Sequence, residues 1–113
     1  MSWVNNVILT YSAAEPEWGP IETVNAALHE KWPSQHFLEA DDFYETWYGG
    51  TKCLECAVHV AAFDGLPLED LCAALRTVPW CEPEHVRLFW CGQEDHAFEP
   101  VNWRTYGSDE RRD

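Results

Sequence analysis

Apolar and polar residues alternate along residues 49–63, which form the longest strand-like stretch of the chain. The stretch begins at Gly49-Gly50, a pair that favours a tight hairpin turn because glycine readily takes positive φ. Side chains of a strand point to opposite faces in turn. The more apolar face, which we expect to pack in the core, carries Leu54, Cys56, Val58, Val60 and Ala62. The other face, which we expect to be open to water or to a partner, carries Cys53, Glu55, Ala57, His59 and Ala61.

Runs of β-branched and aromatic residues predict further strands on both sides of this stretch. They cover residues 3–11, 36–48, 85–91 and 98–103. The run at 36–48 is interrupted by Asp41-Asp42, where we expect a bulge. Pro100 lacks the N–H that a central strand donates, so the last strand is expected at an edge of the sheet.

Two segments carry apolar residues at three- and four-residue spacing, which is typical of amphipathic helices. The first runs from Pro20 to Trp32 and the second from Pro67 to Val78. Each has a proline at its start, where the missing N–H has no cost. The sequence therefore predicts one helix after the first strand and one after the stretch at 49–63.

The predicted order is strand, helix, strand, strand, helix, strand, with an additional C-terminal strand. An α+β, ferredoxin-like fold with two helices on one face of an antiparallel sheet is the simplest arrangement that buries both helices. In this arrangement the first and third strands are central. We expect residues 1–106 to form one domain, since 113 residues suit a single core, and residues 107–113 to be a polar tail.

The charge balance narrows the classes of partner. Twenty Asp and Glu against seven Lys and Arg give a formal net charge of -13. Such a field repels phosphate, so we expect no direct nucleic-acid binding and instead attraction of a basic protein partner. The alternative is that the charge serves only solubility. Apolar runs are too short to cross a bilayer, and no signal peptide is recognisable, so no membrane association and a cytoplasmic location are expected.

Cys53 and Cys56 have the spacing of half a zinc site. Residues three apart on a strand point to opposite faces, and no second pair of this kind occurs, so we expect no metal, no cofactor and five reduced thiols. Cys56 and Cys72 are expected in the core. No motif of a known catalytic type is present, and we assign no catalytic residue.

The candidate binding residues belong to three groups. The acidic clusters include Glu15 with Glu17, and the candidates among them are Asp41, Asp42, Glu82, Glu84, Glu94 and Asp95. Trp18 and Trp80 lie in predicted loops beside acidic residues and would anchor a partner, unless they contribute to the core instead. Glu55 and His59 lie on the predicted open face of the sheet.

These features favour a small acidic binding protein that blocks or escorts a basic partner, as an immunity protein or a phage-encoded inhibitor of a host defence nuclease does. Imitation of nucleic-acid phosphates by the acidic clusters fits the same hypothesis. A second hypothesis is a ferredoxin-like enzyme or ligand-binding homodimer that uses the open sheet face, with His59 and Glu55 lining a cavity. A third is a minor subunit of a larger assembly.

Overall fold

The computed structural model describes residues 4–12, 14–15, 19–39 and 56–106, which form an α+β arrangement as predicted. The strands are β1 (Val4–Ser12), β2 (Leu38–Glu39), β3 (Cys56–Asp64), β4 (Arg87–Cys91) and β5 (Glu99–Val101). The helices are α1 (Pro20–His29) and α2 (Leu68–Arg76), and a 3₁₀ turn spans Pro83–His85. The strand segments predicted within 40–55 and the predicted tail at 107–113 lie outside the described residues.

The strands form one antiparallel sheet in the order β2-β3-β1-β4-β5. β1 pairs with β3 over its whole length, with Val4 opposite Asp64 and Ser12 opposite Cys56. β1 and β3 are both interior, as predicted. β5, which contains Pro100, is an edge strand, where the missing N–H of proline disrupts no ladder.

Both helices pack on one face of the sheet, where their apolar stripes share a single core with the inward side chains of β1, β3 and β4. The sheet contributes Val7, Leu9, Phe63 and Leu88 to this core, and the helices contribute Val24, Leu28, Leu71, Cys72, Ala74 and Leu75. α2 also carries Glu69 and Asp70 in its first turn and Arg76 in its last, which complements the helix dipole. Neither helix of the described ranges is long and apolar enough to span a membrane.

The two faces of β3 are the reverse of those that the alternation predicted. His59 and Phe63 are 3 % and 1 % exposed, and they lie on the core side together with Ala57 and Ala61. Val60 is 37 % exposed and Cys56 is exposed, so the predicted core face is in fact the outer face of the sheet. Of the two thiols expected in the core, only Cys72 is buried.

The large ring of Phe63 explains this register. Phe63 packs edge-on against Phe37, with ring centroids 5.2 Å apart. Burial of an aromatic ring stabilises the fold more than burial of any single side chain on the opposite face of β3. Because side chains alternate along a strand, burying Phe63 also turns every second residue of β3 toward the core. The small side chains of Ala57 and Ala61 then contact the core, while the β-branched residues of β3 face outward.

Two side-chain amides attach the segment after α1 to the rest of the fold. The amide of Gln35 accepts from the N–H of Asp64 at 2.6 Å and donates to its carbonyl at 2.8 Å. Asn25 of α1 does the same for Phe37, accepting from its N–H at 2.8 Å and donating to its carbonyl at 3.3 Å. Each amide thus takes the place of a neighbouring strand, which satisfies backbone groups at the edge of the sheet.

Candidate functional site

Four of the predicted binding residues, Trp18, Asp41, Asp42 and Glu55, lie outside the described residues. The other six are His59, Trp80, Glu82, Glu84, Glu94 and Asp95. They do not form one surface, because the structure distributes them over the core, its rim and both ends of β4.

His59 does not line an open face, and that prediction is wrong. Its side chain is buried on the core side of β3, where Nε2 lies 3.0 Å from the hydroxyl of Tyr11 and the two rings stack. Its Nδ1 is buried and has no hydrogen-bond partner among the described residues. Burial lowers the pKa of His59 to about 4, so the imidazole is neutral at physiological pH. A cavity on the outer face therefore cannot use His59.

Trp80 lies at the rim of the core. Its indole N–H donates to the carbonyl of Leu75 at 2.9 Å, and its ring contacts Tyr11 and Trp103 at centroid distances of 5.1 and 6.2 Å. The side chain is half-buried. Its packing supports the alternative that this tryptophan contributes to the core, and a role in partner binding stays a prediction.

Glu15 was expected in an exposed acidic cluster, but its carboxylate is buried. Its two oxygens accept from the backbone N–H groups of Cys81 and Glu82, at 3.1 and 2.8 Å. The loop before β4 is thereby tied to the end of β1. A carboxylate oxygen of Glu82 lies 3.4 Å from Nδ1 of His85, and Glu84 is exposed. The sequence did not predict this contact, because a carboxylate that accepts from two distant backbone N–H groups has no local sequence pattern.

Glu94 and Asp95 lie at the opposite end of β4, in the turn that leads to β5. The carboxylate of Asp95 accepts from the N–H of Gly92 at 2.8 Å, and its own N–H donates back to the carbonyl of Gly92 at 2.9 Å. This closed turn holds the Glu94 side chain in an exposed position. β4 has five residues, so the two acidic sets stand roughly 14 Å apart or more at strand rise.

The turn borders a concavity of about 450 Å³, which we call the acidic concavity. Its apolar side chains include Pro67, Leu68 and Trp90, and its acidic groups are Glu94 and Asp95. The neutral polar side chains of Asn5 and Gln93 also line it. Gly65 shapes one side, with a φ of +79° that turns the chain from β3 toward α2. No Lys, Arg or His is among the described residues that line it.

The outer face of the sheet, which points away from the helices, carries an apolar row across all five strands. Backbone pairing places Leu38 beside Val60, Val60 beside Ile8, Ile8 beside Phe89 and Phe89 beside Pro100. Leu38 is 60 % exposed. We call these five residues the apolar row. Sequence reasoning missed it because its members are far apart in the chain and only the pairing registers bring them together.

Within the described ranges, no group of three His, Cys, Asp or Glu side chains could hold a metal ion. Comparison of the chain with protein-family models, with curated proteins and with solved structures gives no match. Among the surfaces of the described residues, the acidic concavity combines carboxylates with apolar side chains, and the apolar row groups exposed hydrophobic residues.

Proposed function

We propose that this chain is a small acidic binding protein, not an enzyme, that engages a basic protein partner and blocks or escorts it. The proposed contact is a Lys or Arg side chain of the partner seated in the acidic concavity. The proposed scaffold is ferredoxin-like. The strand order β2-β3-β1-β4, with β5 added at one edge and both helices on one face, supports that scaffold.

The composition of the acidic concavity is the observation that carries the proposal. Lys and Arg have an apolar stem and a charged head, and they bury the stem where apolar surface lies beside a carboxylate. The concavity provides Leu68 and Trp90 for the stem and Glu94 for the head. Asp95 adds a second carboxylate, and its engagement with the N–H of Gly92 keeps that carboxylate in position.

The net charge of the chain also supports binding of a basic protein. At -13 the chain attracts a basic protein over several ångströms of solvent and repels acidic ones. Exposed charges are screened by salt over roughly 8 Å at physiological ionic strength, so the association rate should fall as salt is added. Salt sensitivity is therefore a property that the partner complex must have.

The proposal is tested by affinity capture from the source organism with three forms of the chain. The variant Glu94→Gln/Asp95→Asn removes both carboxylates from the concavity and keeps an acceptor for the N–H of Gly92. The control variant Glu22→Gln/Glu30→Gln removes the same charge from exposed positions at α1 and just after it. We expect a salt-sensitive protein partner with the wild type and the control, and its loss with the concavity variant.

Two results would contradict the proposal. One is capture that the concavity variant and the control reduce equally, since net charge alone would then explain it. The other is the absence of any salt-sensitive protein from wild-type captures.

A further inference from the structure

We infer that the outer face of the sheet is the interface of a symmetric homodimer, in which the apolar row of one copy packs on the apolar row of a second copy. This inference goes beyond the proposed function and uses different residues. The acidic concavity lies at the end of the sheet, among residues of the β3–α2 connection and the β4–β5 turn. The two surfaces can therefore be tested separately.

The apolar row is a continuous strip of hydrophobic residues, of which Leu38, Val60 and Pro100 are exposed and Ile8 and Phe89 are half-buried. It spans five strands, or roughly 19 Å at the usual spacing between strands. Two of its members, Leu38 and Val60, are among the large hydrophobic residues most exposed to solvent in the described ranges, at 60 % and 37 %. Apolar strips of this kind mark interaction surfaces, because single scattered hydrophobic residues would not line up across a sheet.

The distribution of charge favours a second copy over a basic partner as the occupant. Two chains of net charge -13 repel each other over most of their surfaces. On the outer face, however, the outward side chains of β1, β3 and β4 include a single carboxylate, Asp64 at the end of β3, and a single cation, Arg87 at the start of β4. This face is where two copies can approach with the least repulsion. A basic partner would instead be drawn to the acidic groups at the ends of β4.

The neighbours of the row allow close approach of two flat faces. Most outward residues on either side of it are small or short, namely Asn6, Thr10, Ser12, Cys56, Val58, Ala62 and Cys91, whereas Arg87 beside Phe89 is long. β1 and β3 each have nine residues, or roughly 30 Å of strand, whereas β2, β4 and β5 have two, five and three, so the strands cover roughly 450 Å² of face. That is below the roughly 600 to 1,000 Å² that each partner contributes to a standard interface and is typical of weak, transient contacts. We therefore expect a weak dimer that dissociates on dilution.

Sedimentation velocity across a dilution series that reaches about 200 µM tests the inference. The wild type should reach twice the 13.1 kDa of the chain at the top of the series and dissociate on dilution. Val60→Lys should be monomeric throughout, because it places an ammonium group in the middle of the interface. Ala73→Lys adds the same charge at an exposed position of α2 and should dimerise as the wild type does.

A second variant guards against misfolding of Val60→Lys. Leu38→Ser changes the most exposed member of the row and should shift the midpoint of dimerisation to at least tenfold higher concentration, with an unchanged circular dichroism spectrum. Added salt should strengthen the dimer, since screening weakens the repulsion between two acidic chains. Glu94→Gln/Asp95→Asn should leave it intact.

A wild type that stays monomeric over the whole series overturns the inference. So does a dimer that Val60→Lys and Leu38→Ser leave unchanged, because the interface would then lie elsewhere. If the wild type is monomeric and Val60→Lys loses a captured protein that the concavity variant retains, the row serves a different partner and the second copy is excluded as its occupant.

Discussion

The hydroxyl of Tyr11 lies 3.0 Å from Nε2 of His59, and the two rings stack with centroids 5.3 Å apart. Trp80 also contacts Tyr11, with ring centroids 5.1 Å apart. His59 is thus a neutral, aromatic-like member of the core. The pair lies on the side of the sheet on which the helices pack, whereas the apolar row lies on the outer face.

Burial of His59 makes the stability of the fold depend on pH. Its pKa is about 4 in the folded state against an ordinary value of 6.5, so the unfolded state binds the proton more readily. The free energy of unfolding should be fully retained above pH 6.5 and fall as the pH falls from 6.5 toward 4, by about 1 kcal/mol at pH 5.5. Urea unfolding at pH 7.5 and 5.5 measures this loss.

The matched variants for that measurement are His59→Gln and His29→Gln. His29 is exposed on α1 and provides the matched replacement of a histidine outside the core. His59→Gln should remove about 1 kcal/mol of the difference between the two pH values, whatever its effect on stability at pH 7.5. An equal pH dependence in all three proteins would contradict the neutral, buried state of His59.

The carboxylate of Glu15 should be needed for the loop before β4. Glu15→Ala leaves the backbone N–H groups of Cys81 and Glu82 without an acceptor in a partly buried place, which should cost about 2 to 3 kcal/mol of unfolding free energy. Glu30→Ala, at an exposed position, should change it by less than about 0.5 kcal/mol. Chemical denaturation followed by tryptophan fluorescence compares the two, and similar values would show that the Glu15 contacts are not maintained in solution.

The amides of Gln35 and Asn25 should protect specific backbone groups. Gln35→Ala removes the acceptor of the Asp64 N–H, and Asn25→Ala removes that of the Phe37 N–H. Each variant should lose about 1 kcal/mol of stability, and hydrogen exchange should accelerate at the residue that lost its acceptor. Faster exchange spread evenly over the sheet in both variants would argue against these pairings.

The thiols should differ in reactivity according to the face on which they lie. Cys72 is fully buried, and desolvation raises its pKa to about 11, so iodoacetamide should modify it only after unfolding. Cys56 is exposed on the outer face and should react in the folded protein. Its labelling should slow at high protein concentration relative to that of exposed Cys81, as dimerisation covers the outer face. Peptide mass spectrometry resolves the three sites, and rapid native labelling of Cys72 would contradict its place in the core.

The sequence was a good guide to the elements of this fold. Pro20 and Pro67 marked the helix starts, and the strands at β1 and β4 followed from their β-branched and aromatic residues. Helix ends were less well predicted: α1 ends at His29 rather than Trp32, because nothing in the sequence distinguishes a last helical turn from the turn that follows it. Element order was enough to predict an α+β fold with β1 and β3 inside the sheet.

The sequence did not predict which side of β3 faces the core. Both faces of this strand carry apolar or small residues, so alternation within the strand alone could not decide between them. The deciding contacts, Phe63 with Phe37 and His59 with Tyr11, join residues that are distant in the chain. The apolar row and the contacts of Glu15 depend on long-range pairing in the same way, which is why local patterns could not reveal them.

The assignment of the two faces of β3 is the central claim, since both the core and the outer face follow from it. Lysine substitution of the neighbours Val60 and Ala61, with urea unfolding below the dimerisation range, tests it most directly. Val60→Lys should unfold cooperatively and lose no more than about 1 kcal/mol, because its side chain points to solvent. Ala61→Lys should lose more than about 3 kcal/mol or fail to fold, because it forces a charge against the core. The opposite order of stability would contradict the account.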